Sequence, residues 1–199
     1  MIATLPIFPL PGLILFPGSY LPLHIFEPRY RLMLNYCLEN EEEIGITSLH
    51  SDSSIEPIFG WGKIVEREQF PDGRSNIMIF GKGVGKLLRY KTKEPFIIAL
   101  VEKRENHFSH LKKVEFRQVL QEIIRLTKIH LKNLDSEEIL FDELEKLKSH
   151  PFPIDLITSF LDLRYEWKQE ILSCEDPYEK ALLLIRFLSN LIKEQGEMI

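Results

Sequence analysis

A segment rich in glycine and lysine is the first place to look for phosphate chemistry. Gly81, Gly83 and Gly85 alternate with Lys82 and other residues, and a further lysine follows the last glycine. A Walker loop has four residues between its glycines and a Ser or Thr after the lysine, whereas this segment has three and continues with Leu87. A dinucleotide fingerprint requires a helix next, but a strand-like pattern follows. The glycines therefore predict a β-turn or β-bulge and no nucleotide site.

Three other groups have residue types that do chemistry elsewhere. Ser109 and Lys112 have the Ser-x-x-Lys spacing of some hydrolases, but the companion motifs of those enzymes are absent from the sequence. His107 and His110 could share a face and bind a metal, yet no nearby carboxylate or cysteine completes a tetrahedral set. Cys37 falls within the apolar stripe of a predicted helix, which favours a small buried hydrophobe over a reactive thiol. The sequence predicts no catalytic residue, no metal and no cofactor.

Aromatic side chains are the remaining candidates, and they point to binding rather than catalysis. The candidates of this type, all in the first half of the chain, are Phe16, Tyr20, Phe26, Tyr30, Trp61 and Phe70. We expect most of this group in the core, with Trp61, between two glycines, and Phe70 as the exceptions that contact a ligand. Tyr30, in the first turn of a predicted helix, is either a contact or a residue at the edge of the core. Tyr30, Trp61 and Phe70 are therefore the binding candidates.

The first half of the chain has the pattern of short strands. Pro28 predicts the start of a helix over 28–39, and Pro71-Asp72-Gly73 predicts a hairpin turn, because proline presets φ and glycine accepts φ > 0. The predicted strands are Leu13–Phe16, Tyr20–Leu23, Ile44–Leu49, Lys63–Phe70, Ser75–Phe80, Val84–Lys91 and Pro95–Arg104. Many short strands with one helix predict a small antiparallel barrel or sandwich.

The second half has the 3.6-residue period of helices. Apolar residues line one face over 110–133, and shorter helices are predicted over 154–165 and 166–174. Asp176-Pro177-Tyr178-Glu179 combines a capping Asp, a Pro at the first position and a Glu three residues after the cap. All Pro and Gly residues except Pro151, Pro153, Pro177 and Gly196 lie before residue 110. The fold class is therefore α+β, with a β-rich part at 1–108 and a helical bundle at 109–199.

Composition and charge exclude several classes of function. The formal net charge is −5 over 199 residues, and neither half is basic, which argues against a nucleic-acid partner. Two cysteines, far apart in sequence, form no disulfide framework or multi-cysteine metal site. The opening 26 residues carry no charge, but they lack the basic region of a signal peptide and five prolines interrupt them. We expect a cytoplasmic protein without a membrane span.

A family resemblance rests on the opening of the chain. Leu5-Pro6-Ile7-Phe8-Pro9-Leu10, Leu15-Phe16-Pro17-Gly18 and 21–30 (LPLHIFEPRY) resemble the N-terminal, substrate-binding domain of the Lon protease family, and Gly60, Gly62 and 71–74 continue the match. The resemblance implies a PUA-like β pseudobarrel followed by a helical bundle. It also implies recognition of unfolded or damaged polypeptide. The ATPase and protease modules of a complete Lon protease have no counterpart in this sequence, so the prediction is a stand-alone, non-enzymatic domain.

Two functions follow from these observations. The first is a polypeptide-binding module for exposed apolar segments, acting with a protease or a chaperone. The alternative is a small-molecule or RNA-binding domain, because PUA-like barrels are reused for such ligands, although a shared fold is weak support for a shared function. A hydrolase would rest on Ser109 and Lys112 alone. The oligomeric state is open.

Overall fold

The computed structural model describes residues 1–104, 113–133 and 139–196. The chain divides into two compact units, Met1–Glu105 and Asn106–Ile199. The Ser109–Lys112 pair, together with His107 and His110, lies outside the described residues.

Strands and one helix build the first unit. In chain order they are β1 (Ile2–Pro9), β2 (Tyr20–Ile25), α1 (Pro28–Glu39), β3 (Glu43–Thr47), β4 (Ile58–Gln69), β5 (Ser75–Thr92) and β6 (Ile97–Arg104). The predicted helix is confirmed at 28–39, with Pro28 in its first turn, where a missing backbone donor costs nothing. The predicted hairpin joins β4 to β5, and Gly73 has a φ of +83°. Local signals were therefore sufficient to define these two elements.

Five of the strands close into a barrel. β5 pairs with both β4 and β6, so the order β5-β4-β3-β1-β6 returns to β5. The neighbours are antiparallel except for β1 and β3, which are parallel, and the expectation of a purely antiparallel barrel is corrected at that pair. A parallel pair requires a long connection, and β2 and α1 lie between β1 and β3 in the chain. The remaining strand, β2, pairs outside this ring with residues 75–80 of β5.

The glycine-rich segment lies inside β5, which is one strand where the sequence predicts two, Ser75–Phe80 and Val84–Lys91. Trp61 of β4 pairs with Gly83, whereas its neighbour Gly62 pairs with Gly81. Lys82 is the extra residue between these two pairs, so the bulge expected from the glycines is confirmed. The first part of this long strand therefore pairs with β2, and its second part pairs with β6.

The segment before β2 explains why some of these glycines are needed. Residues 13–16, predicted as a strand, are not one; they cross the sheet with Leu15 and Phe16 buried. A Cβ atom added at Gly60 would lie 1.7 Å from the carbonyl oxygen of Leu15, and one at Gly81 would lie 2.0 Å from that of Phe16. Only glycine permits this approach of one backbone to another, so the glycines serve packing and not a phosphate.

Buried apolar side chains form two clusters in this unit. One lies within the barrel and consists of Leu5, Ile7, Ile55, Phe59, Ala99 and Val101. The other joins the sheet to α1 and includes Phe8, Leu15, Ile25, Tyr30, Met33, Leu34, Cys37, Ile44, Ile46, Ile64, Ile77, Ile79 and Phe96. Within it, burial raises the pKa of the Cys37 thiol to about 12, which confirms the interpretation of this residue as a buried hydrophobe.

Helices build the second unit, as the 3.6-residue period predicts. The described ones are α2 (Lys113–Asn133), α3 (Ile139–Lys146), α4 (Pro153–Phe160), α5 (Tyr165–Ser173) and α6 (Pro177–Gly196). Asp176 caps α6, because its Oδ1 accepts the backbone N–H groups of Tyr178 (2.8 Å) and Glu179 (3.1 Å). Helix α2 packs against α6, and a buried ion pair joins α6 to α4, with Lys180 Nζ 2.8 Å from Asp155 Oδ1.

Candidate functional site

Part of the sheet lies outside the closed ring. Strand β3 pairs with β4 only as far as Lys63, and β6 pairs with β5 only from Val84 onward. The remainder, which we call the wing, consists of β2, residues 64–69 of β4 and residues 75–80 of β5. These three segments form one antiparallel sheet with β5 at its centre.

Strand alternation gives the wing two different faces. Leu23 of β2 and Ile77, its partner in β5, belong to the cluster that packs against α1; we call this side the core face. The neighbouring pair, Pro22 and Met78, therefore lies on the opposite side. We call that side the open face, and its side chains are Tyr20, Pro22, His24, Glu66, Glu68, Asn76, Met78 and Phe80, none of them buried.

Aromatic rings lie at both ends of the open face. At one end Tyr20 is 65% exposed, and its ring centroid is 5.0 Å from that of Phe80. At the other end Phe26, 56% exposed, and Phe70 each have a ring centroid 6.1 Å from that of His24. Tyr20 and Phe26 are each more than half exposed and each lies beside a second ring, and grouped apolar exposure of this kind makes the open face a candidate contact surface.

A polar ladder crosses the middle of the open face. His24 Nδ1 is 2.7 Å from Asn76 Oδ1, and Asn76 Nδ2 donates to Glu68 Oε2 at 3.0 Å. Because the amide oxygen can only accept, the bond to Glu68 assigns the proton of the His24 ring to Nδ1. The ladder therefore holds the imidazole of His24 in one orientation between the two aromatic ends.

A groove runs over the three strands of the wing. Its volume is about 530 Å³, and residues 22–24 of β2, 66–68 of β4 and 76–78 of β5 line it. Pro22 and Met78 supply apolar surface, while Glu66 and Glu68 place two carboxylates along one side. Arg67 also lines the groove, and its guanidinium donates to Gln69 Oε1. The groove thus has apolar side chains along its floor and a margin on which two carboxylates outnumber one guanidinium.

Arg31 of α1 holds the end of the wing that carries Phe26 and Phe70. Its Nε donates to the carbonyl oxygen of Phe26 (2.8 Å), and its Nη1 donates to that of Asp72 in the hairpin (2.9 Å). Hydrogen bonds from the backbone and side chain of Arg74 hold the pKa of the Asp72 carboxyl below its usual value, and the N–H of Phe70 donates to the carbonyl of Arg74. One arginine therefore fixes the loop that carries Phe26 relative to the hairpin that carries Phe70.

The structure separates the three residues that the sequence singled out. Tyr30 is only 7% exposed, with its ring 4.2 Å from that of Phe8 and burial raising its pKa; it is a core residue and cannot present its face to a ligand. Trp61 is half-buried against the cluster within the barrel, and Lys103 Nζ lies 3.9 Å from its ring centroid. Phe70 is half-buried beside the open face, so it is the one candidate that lies at this surface.

Two aromatic residues expected in the core, Tyr20 and Phe26, are exposed in the structure, whereas Phe16 of the same group is 1% exposed. The signal that separates them is the period of two in 20–26 (YLPLHIF): Leu21, Leu23 and Ile25 alternate with the exposed positions.

Among the residues that the structure describes, there is no group of three or more His, Cys, Asp or Glu side chains that could hold a metal ion. Within the same parts of the chain, no helix has the length and apolar character that crossing a membrane requires.

Comparisons with known proteins agree on one family. A family model described as the ATP-dependent protease La (LON) substrate-binding domain matches residues 4–190. The Lon protease of Cytophaga hutchinsonii is 26% identical over 194 residues, and that of Clostridium acetobutylicum is 27% identical over 191 residues. These matches cover 94% and 89% of this chain but 24% of each relative, so the chain spans about a quarter of their length.

Solved structures share the fold. The N-terminal domain of the Lon protease from Mycobacterium avium complex superimposes with a TM-score of 0.76 and 16% identity, over 94% of this chain and 99% of that one. A Lon N-terminal domain protein from Xanthomonas campestris gives 0.65 and 17% identity, over 93% and 98% of the two chains. The α+β fold class is therefore confirmed.

Proposed function

Because this chain belongs to the family of the Lon substrate-binding domain, we propose that it binds exposed apolar segments of unfolded or damaged polypeptides at the open face of the wing. The observation that carries the proposal is the exposure of Tyr20 (65%) and Phe26 (56%) at opposite ends of a groove. The two exposed rings are grouped with others, Tyr20 beside Phe80 and Phe26 beside His24, and unfolded chains supply apolar groups that can cover such patches. Phe70 and Met78 extend the same surface.

The size of this surface predicts weak binding at a single site. Covering two aromatic side chains removes about 300 Å² from water, which is worth roughly 7 kcal/mol at 25 cal/mol per Å². Association costs about 4–15 kcal/mol in lost freedom. A single open face is therefore expected to hold a segment only briefly, and useful affinity would come from several copies acting together or from a tethered partner such as a protease or chaperone.

Binding of this kind needs no reaction at the site. We assign no catalytic residue, metal or cofactor to the open face, and the proposal is that binding requires neither an ATPase nor a protease module. Both cysteines, Cys37 and Cys174, are free thiols, which fits a reducing compartment such as the cytoplasm.

The test uses an unfolded protein as the probe. Fluorescein-labelled, reduced and carboxymethylated lysozyme is titrated with the chain, and binding is followed by fluorescence anisotropy. The variant Tyr20→Ser with Phe26→Ser is expected to weaken binding about tenfold or more, because aromatic contacts dominate such interfaces. The control replaces two exposed side chains of the helical unit, Phe160→Ser (47% exposed) and Leu182→Ser (39%), and should change affinity less than about twofold.

Two results would contradict the proposal. Equal binding by the two variants and the unchanged chain would show that the open face is not the contact surface. Salt-dependent retention of RNA on filters, without binding of the unfolded probe, would favour the alternative of a nucleic-acid ligand.

A further inference from the structure

Strand β2 has one edge without a partner strand. It is the terminal strand of the sheet order, and within the described residues its paired neighbour is β5. In an antiparallel pair, successive residues point their backbone groups alternately toward the neighbour and away from it. The N–H of Gly81 donates to the carbonyl of Ser19 at 2.9 Å, so residues 19, 21, 23 and 25 face β5. The backbone groups of Tyr20, Pro22 and His24 therefore face the unpaired edge.

We propose that the polypeptide segment bound by this chain adds to this edge as an extra antiparallel strand beside β2. The inference rests on the proposed function and gives its binding mode. The edge presents the carbonyl groups of Tyr20, Pro22 and His24 and the N–H groups of Tyr20 and His24. An extended segment without proline at the facing positions satisfies all five through its own backbone with little dependence on its other residues, which is what a receptor for unfolded chains requires.

The side chains of the added strand reach the surface already described. In an antiparallel pair, residues directly opposite each other project to the same face. The residues opposite Tyr20, Pro22 and His24 therefore lie on the open face, beside the Tyr20–Phe80 ring pair and the groove floor of Pro22 and Met78. The edge of β2 forms hydrogen bonds with the backbone of the added strand, and every second side chain of that strand contacts the open face.

Charge on the open face gives the segment a preferred composition. Glu66 and Glu68 are exposed, and neither is in an ion pair within the part of the chain that the structure describes. The nearby Lys63 is paired with Glu42, and one cation, Arg67, lines the groove beside the two carboxylates. The favoured occupant is therefore an apolar segment with Lys or Arg among its residues, and acidic segments are disfavoured.

A second copy of this chain is a poorer occupant of the same edge. Two β2 strands related by a two-fold axis can pair all three outward residues only with Pro22 opposite Pro22. Proline has no N–H, so the carbonyl groups of both Pro22 residues would lack a donor. A foreign segment without proline supplies that donor. Pro22 thus blocks pairing between two copies while leaving the edge open to other chains.

The test uses a peptide in which either of two alternating sets of backbone N–H groups can be removed by N-methylation. The probe is a fluorescein-labelled peptide of alternating valine and threonine with lysine at both ends, titrated with the full chain. With valine on the open face, the valine N–H groups point to β2 and the threonine N–H groups point to solvent. N-methylation of the valines is expected to weaken binding about tenfold or more, since at least two hydrogen bonds are lost. N-methylation of the threonines should change affinity less than about threefold.

Hydrogen exchange followed by NMR gives a second measurement on the unmodified protein. On addition of the unmethylated peptide, the amides of Tyr20 and His24 should exchange more slowly. The amides of Leu21 and Leu23, which face β5, are protected already and should change little. A peptide with glutamate in place of both lysines should bind several-fold more weakly.

The outcomes separate the binding mode from the proposed function. If the peptide binds equally well with either set of amides methylated, strand addition is wrong while polypeptide binding stands. The same holds if the peptide binds without slowing hydrogen exchange at the amides of Tyr20 and His24. If the peptide fails to bind but unfolded lysozyme binds, strand addition alone is again overturned, and failure of both probes overturns both proposals. A dimer in light scattering that the peptide dissociates would identify a second copy as the occupant and overturn the inference.

Discussion

The two faces of the wing are built from the same three strands, because alternate residues of each strand point to opposite sides. On the core face Ile64, Ile77 and Ile79 are at most 5% exposed, whereas on the open face Tyr20 is 65% exposed. Both faces carry large apolar side chains, so hydrophobicity alone does not distinguish them. What differs is the presence of α1 over the core face. One face therefore stabilises the fold, and the other retains the apolar surface at which we propose that polypeptides bind.

The largest expected effect comes from removing volume from the core face. Ile79 is fully buried, so Ile79→Ala should lower the free energy of unfolding by about 2–5 kcal/mol through lost burial and a cavity. Its neighbour Met78 lies on the open face, and Met78→Ala should lower it by less than about 1 kcal/mol. Urea denaturation of the two variants measures the difference.

Reaction of Cys37 with a thiol reagent reports on the same packing. The thiol of Cys37 is 1% exposed in the cluster that contains Ile79, so Ile79→Ala should accelerate its labelling, and Met78→Ala should not. Equal loss of stability in the two variants would mean that the faces are not distinct in the way described.

A smaller effect is expected from Arg31, which fixes one end of the wing. Arg31→Ala removes the hydrogen bonds to the carbonyls of Phe26 and Asp72 and should cost about 1 kcal/mol of stability. Binding of unfolded lysozyme should weaken several-fold, because Phe26 and Phe70 lose their fixed separation. Thermal denaturation and anisotropy measure the two effects.

The neighbouring arginine provides the control for this prediction. Arg29 makes a hydrogen bond to Glu27 and stacks on Tyr30 from an exposed position, so Arg29→Ala should change stability by less than about 0.5 kcal/mol. If Arg31→Ala leaves affinity at the level of Arg29→Ala, the position of the hairpin does not matter for binding.

The smallest effect is expected from the polar ladder of the open face. Asn76→Ala removes the partner of His24 Nδ1 and of Glu68, but these groups are exposed, so stability should fall by less than about 1 kcal/mol. The sharper readout is the His24 ring: its ¹⁵N shifts should show a proton on Nδ1 in the unchanged chain and lose that preference in the variant. An unchanged tautomer would contradict the assignment of the ladder.

Several elements were predictable because their signals are local. Pro28 and the apolar spacing after it defined α1, the Pro-Asp-Gly turn defined the β4–β5 hairpin, and Asp176 defined the start of α6. Closure of the barrel and the parallel pairing of β1 with β3 were not predictable in this way, because they depend on contacts between residues far apart in the chain.

The exposure of the aromatic residues was predicted less well than the fold. Of Tyr30, Trp61 and Phe70, only Phe70 lies at the open face, and Tyr20 and Phe26 were expected in the core. An aromatic residue has the same type and propensity whether a helix covers it or not, so composition could not separate the two groups. The alternation in 20–26 shows which residues share a face of the strand, but it does not show which face α1 covers.

The sequence by itself determined the α+β class, the location of its turns and caps, and membership of the family, because each depends on residues close together in the chain. The glycine spacing in β5 also excluded a Walker loop there. Only the tertiary structure decided that Leu15 and Phe16 cross Gly60 and Gly81, that β2 ends the sheet with an unpaired edge, and that Tyr20 and Phe26 remain uncovered. Burial is a property of what packs against a residue, and that partner comes from elsewhere in the chain.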